Sequence, residues 1–106
     1  MRKQTFKEVL DEHVVFTDRT FSKATAKGAL RHARRELKEL KKELRKRDPI
    51  RIAEEAADII GCVIDAANRC GAPPWLVIQQ FTHKLGVNKK RKWKYNGDGS
   101  YSHVKQ

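Results

Sequence analysis

An all-α protein, a four-helix bundle with mostly antiparallel helices, is the fold class that three features of the sequence predict. Leu30, Ala33, Leu37, Leu40 and Leu44 recur at intervals of three and four, the period of one helical face. Asp48-Pro49 and Pro73-Pro74 each restart a helix, since Asp caps an N-terminus and Pro is tolerated in the first turn. Gly71 then supplies a C-terminal stop between them. Connections this short favour antiparallel neighbours. The 106 residues make one domain, with a helical unit over residues 1–94 and a polar, Gly-rich and therefore flexible tail over 95–106.

Each element has its own signature. Residues 3–13 read as a short helix with Phe6, Val9 and Leu10 on one side, followed by Val14-Val15-Phe16 and a mixed polar connector. Phe16 and Phe21 there are packing residues, or one of them walls a base pocket. From about Thr25 to Arg47 the leucine series forms a seam, and His32, Glu36, Glu39 and Glu43 form a second stripe beside it. A solvated helix would intermix its signs to gain i,i+4 pairs, so acids segregated beside the seam are aimed at something or edge the core.

The next helix runs from Pro49 to Arg69 or Cys70 and is apolar over a wide arc, as a central element or an oligomer interface would be. Glu55, Asp58, Asp65 and Arg69 share its narrow polar stripe with Cys62. In the last helix Trp75, Ile78, Phe81 and Leu85 face inward, whereas Lys84, Asn88 and Arg91 lie on a second, polar face. Lys and Arg suit phosphate oxygens, the latter bidentately.

The chemistry concentrates in two carboxylate pairs, Glu36/Glu39 as ExxE and Glu55/Asp58 as ExxD. Residues three apart project together from a helix. If the two helices pack antiparallel, four carboxylates converge, and each close pair repels by about 4 kcal/mol at intermediate dielectric. A hard divalent cation with oxygen ligands relieves that repulsion, and Mg²⁺ is the first candidate, with Mn²⁺ a possible substitute.

Composition narrows the partners. Lys plus Arg number 24 against 13 acids, a net charge of +11, which implies an anionic partner without naming it. Cys62 and Cys70 lie eight residues apart on one helix, about 12 Å along its axis, too far for a disulfide, so the protein is expected reduced and cytoplasmic. No apolar run suits a membrane span and the N-terminus lacks a signal-peptide layout, so no membrane partner is expected.

From Phe21 to Trp93 the chain resembles the MazG-like all-α nucleoside triphosphate pyrophosphohydrolases, specifically the short branch that includes dATP/dGTP diphosphohydrolases. The residues that carry the resemblance are Thr20-Phe21, GALRHARRELKEL with His32 four before Glu36, EEAADIIGCVIDAANRCG, and KLGVNKKRKW with its Lys84, Asn88, Arg91, Trp93 spacing. The resemblance implies a homodimer or homotetramer that holds Mg²⁺ through Glu36, Glu39, Glu55 and Asp58. It implies phosphate binding by Lys84, Asn88 and Arg91. It also implies cleavage between the α- and β-phosphates of a nucleoside triphosphate, with Glu36 or Glu39 as the base.

His32, Asp65, Phe21 and Trp93 are further candidates for contacting nucleotide or supporting the ligands. Ser22, where Gly is usual, and Ala56, where an aromatic is common, are departures that bear on base preference. Two rival readings use other features. The runs KKELRKR and KKRKWK suit a basic helical nucleic-acid-binding protein without catalysis, and the leucine seam suits a partner-binding protein.

Overall fold

The structure, a computed structural model, describes residues 2–105. Four helices, α1 (Phe6–Thr20), α2 (Ala26–Lys46), α3 (Pro49–Arg69) and α4 (Pro74–Lys90), form an all-α bundle and are followed by two short strands, β1 (Trp93–Tyr95) and β2 (Tyr101–His103). No described helix is long and apolar enough to cross a membrane.

Helix starts follow the side chains available. Thr5 and Glu8 make a capping box at α1, Thr5 Oγ1 accepting from Glu8 N–H at 3.1 Å and Glu8 Oε1 accepting from Thr5 N–H at 3.3 Å. Asp48 Oδ1 accepts from Ile50 and Arg51 N–H at the start of α3. Only Arg47 and Asp48 separate α2 from α3, so the two run antiparallel along each other. Arg47 makes that turn in the left-handed region, at φ 55°.

Helix α3 is the centre, packing against α1, α2 and α4, and α4 also packs on α1. Leu10, Val14 and Ile64 form the buried core, with Val77 and Ile78 against it. Helices α1 and α2 flank α3 without packing on each other. The gap they leave is a cleft of about 810 Å³.

Four expectations change. In α4, Trp75, Phe81 and Leu85 do not face inward but are 53%, 74% and 50% exposed, and Val77 and Ile78 meet the core instead. Helix α1 does not end near residue 13. It continues through Thr20, because Leu10, Val14 and Thr17 bury one continuous stripe while the polar Asp18-Arg19-Thr20 face water. The tail carries an antiparallel hairpin pairing Trp93 with His103 and Tyr95 with Tyr101. And α2 does not turn its leucine seam inward. Leu30, Leu37 and Leu44 are 51%, 53% and 54% exposed. The face against α3 is Ala29, Ala33, Glu36, Leu40 and Glu43, the small residues allowing close approach.

Candidate metal centre

That change of face puts the acids into the seam between α2 and α3. Glu36 on α2 and Glu55 and Asp58 on α3 each bring a carboxylate oxygen within 4.8 Å of the other two. Glu36 and Glu55 are half-buried, and Asp58 is exposed and lines the cleft. Glu55 Oε2 is shut off from solvent without a hydrogen-bond partner. The Glu55 carboxyl is pushed up to about 7, chiefly because once protonated it can donate to the Glu36 carboxylate, then by desolvation and by repulsion from Glu36, Asp58 and Glu39. Converging carboxylates with a buried unpartnered oxygen, and among the described residues no lysine or arginine paired with them, are what an oxygen-ligated divalent ion would satisfy. The residues fit such a metal.

The other candidates divide between this cluster, the cleft and the far end of the chain. Glu39 lies outside the group of three, half-exposed, with Lys42 Nζ 3.4 Å from its Oε1. Its charge still reaches Glu55. His32 Nε2 stands 3.3 Å from Glu36 Oε1, and His32 and Phe21 both line the cleft. Phe21 meets Phe16 edge-on, ring centroids 5.7 Å apart. Asp65 also lines the cleft, but its oxygens are engaged: Thr17 Oγ1 donates to Oδ1 at 2.8 Å and Arg69 Nε donates to both oxygens at 3.0 and 3.1 Å.

Lys84, Asn88, Arg91 and Trp93 are not among the cleft's lining residues. Arg91 Nη1 donates to Asn88 Oδ1 at 3.2 Å, and the Trp93 indole N–H to the Asn88 carbonyl at 3.0 Å.

Two features escaped the sequence reading. Among the described residues Arg35 is the one lysine or arginine lining the cleft, and in the sequence it was indistinguishable from the other bases of α2. His13 lies over Gly61, its Nε2 3.0 Å from the Gly61 carbonyl. A Cβ on Gly61 would come 3.1 Å from the His13 ring, so glycine is what lets α1 close on α3 there. A lone glycine inside an apolar helix was the available signal.

The family model described as dATP/dGTP pyrophosphohydrolase matches residues 9–106, nearly the whole chain. The chain belongs to that family. The assignment carries a hydrolase-type enzymatic role and a nucleotide substrate, and the acid cluster is consistent with metal-dependent pyrophosphohydrolase chemistry. No curated protein and no solved structure matches.

Proposed function

We propose that the protein is a Mg²⁺-dependent pyrophosphohydrolase that cleaves the α–β phosphoanhydride of a purine deoxynucleoside triphosphate, dGTP or dATP, to the monophosphate and pyrophosphate. The observation that carries this reading is the carboxylate trio meeting an open cleft through Asp58. Glu36, Glu55 and Asp58 hold the metal, and Glu39 joins them by a rotation that its exposed position permits. Mg²⁺, when bound, screens the triphosphate and acidifies a water. Glu36 or Glu39 accepts the proton of the attacking water on a carboxylate oxygen, and His32 orients Glu36. Phe21 and the apolar wall of the cleft hold the base.

The cleft offers Arg35 alone against a polyanion, so further cations are needed at the leaving pyrophosphate. Lys84, Asn88 and Arg91 are the phosphate-binding group, delivered to this cleft by a second copy of the chain. The half-exposed leucines at residues 30, 37 and 44, seven apart on one face, support such an assembly.

A panel of ribo- and deoxynucleoside triphosphates with Mg²⁺, with products resolved, tests the reading. Monophosphate and pyrophosphate, fastest from dGTP or dATP, are expected. Diphosphate with orthophosphate would refute the bond assignment, and no turnover of any triphosphate would refute the activity.

A further inference from the structure

The C-terminal hairpin presents a face that the fold does not use. Paired residues of an antiparallel ribbon share a face, so Trp93, Tyr95, Tyr101 and His103 stand together, with Lys94 and Ser102 on the opposite side. Trp93 meets His103 at 6.2 Å between centroids, and Tyr95 meets Tyr101 at 5.2 Å. The ribbon lays neither face on a helix and meets α4 through the Trp93 indole bond to the Asn88 carbonyl. Trp93, Tyr95 and Tyr101 remain 45%, 57% and 63% exposed.

These rings are nevertheless held. The Trp93 indole N–H is anchored on the Asn88 carbonyl, and the Tyr95 hydroxyl oxygen accepts from Gly99 N–H at 2.9 Å. Both anchors act at ring edges, and the rings stay about half exposed. Lys89, Lys90, Lys92, Lys94 and Lys105 are exposed around the ribbon, and no described carboxylate lies within ion-pair distance of them.

We propose that this face binds single-stranded nucleic acid, its rings stacking on bases while the surrounding lysines follow the phosphates. Immobilised rings flanked by unpaired cations complement a polyanion whose every unit carries a flat π-system. Rings two residues apart on a strand are separated by about 7 Å, twice the roughly 3.4 Å rise between stacked bases. Each ring can therefore take one base only when the bases are unstacked, which selects a single strand over a duplex. The binding uses neither the acid cluster nor the cleft, so it stands independently of the hydrolase reading.

The test uses the full chain with EDTA present and a fluorescein-labelled oligothymidylate longer than about sixteen nucleotides, the upper end of common site sizes. Anisotropy titrations across salt concentration should show saturable binding whose logarithmic salt slope is about −0.7 per phosphate neutralised. Tyr95→Ala and Tyr101→Ala should each weaken binding by about fivefold to a hundredfold. Tyr101→Trp should bind at least as well as wild type. Helicity by circular dichroism should not change, since the Trp93 bond to the Asn88 carbonyl of α4 is left in place.

Three results overturn the proposal. One is the absence of an anisotropy change at low salt. Another is equal affinity for duplex DNA or phosphatidylserine vesicles. The third is a Tyr101→Ala variant that keeps oligonucleotide affinity, and if it also loses triphosphate turnover the face belongs to the hydrolase.

Discussion

Two stretches of α3 handle their acids in opposite ways. Near its C-terminus Asp65 is 7% exposed and bonded to Thr17 and to both edges of a charge-assisted contact with Arg69. Arg69 then donates to the carbonyls of Thr17, Phe21 and Ala24, fastening the end of α1 and the loop after it. In its first half Glu55 and Asp58 meet Glu36, and among the described residues no lysine or arginine lies within ion-pair distance of the three. An acid supplied with partners holds helices together. Acids denied partners lose folding stability through repulsion and are explained by a ligand that arrives later.

The largest effect should come from the unpaired end. Asp58→Asn and Glu36→Gln should lower turnover about a hundredfold or more, because each removes a charged oxygen from the ligands proposed for the metal. Thermal stability without metal should hold or rise, since each also removes a repulsion. If both variants turn over triphosphate at wild-type rate, the three acids do not hold the metal.

At the paired end the expectation reverses. Asp65→Ala should cost about 3 kcal/mol in urea unfolding, since it strands the nearly buried Arg69 guanidinium. Because Thr17 and Arg69 both serve Asp65, Thr17→Val and Asp65→Ala should be strongly non-additive. A loss below about 0.5 kcal/mol for Asp65→Ala, the scale of a surface substitution, would mean that this network does not secure α1.

Acidity sharpens the contrast. The Glu55 carboxyl, ordinarily near 4.5, sits at about 7 in the folded protein, so folding strengthens proton binding there. Its contribution to stability is complete below about 4.5 and is lost as pH rises through about 7. The thermal midpoint of metal-free wild type, measured against Glu55→Gln, should therefore fall across that window and level off above it. Protection by Mg²⁺ should grow over the same window, because the metal competes with that proton. A wild-type minus variant difference that stays flat with pH would remove Glu55 from the cluster.

Much of this arrangement was legible in the sequence. The ExxE and ExxD spacings fix which acids share a face, and Asp48-Pro49 fixes the tight turn that brings Glu36 to Glu55. The orientation of α2 was hidden, because the rule that leucines turn inward gave way to the closer packing offered by Ala29 and Ala33. Helix α1 was cut short because Asp18-Arg19-Thr20 look like a loop in sequence but form the wet side of a helix whose other side is Val14 and Thr17. The hairpin had its signal, alternating Trp93-Lys94-Tyr95 and Tyr101-Ser102-His103 about a Gly97-Asp98-Gly99 turn, and composition alone obscured it. Lys84, Asn88 and Arg91 lie off the cleft lining, a placement that spacing within one helix does not specify.

Glu43 provides the smallest and most discriminating test, since it is buried like Asp65 and under-partnered like Glu55. It is 8% exposed, its Oε2 has no hydrogen-bond partner, and its Oε1 lies 3.7 Å from the exposed Lys46 Nζ. It falls outside the 4.8 Å cluster and off the cleft lining, so the contrast along α3 assigns it to the fold, where an unsatisfied carboxylate is a burden. Glu43→Met, close in volume and without the stranded oxygen, should raise stability by about 1 kcal/mol. For a domain of this size that moves the thermal midpoint upward by roughly 4–8 °C. Turnover should remain within twofold of wild type. A stabilised but inactive Glu43→Met would enlarge the metal centre to include this residue, whereas a destabilised and active one would mean that the single oxygen facing Lys46 outweighs the buried one.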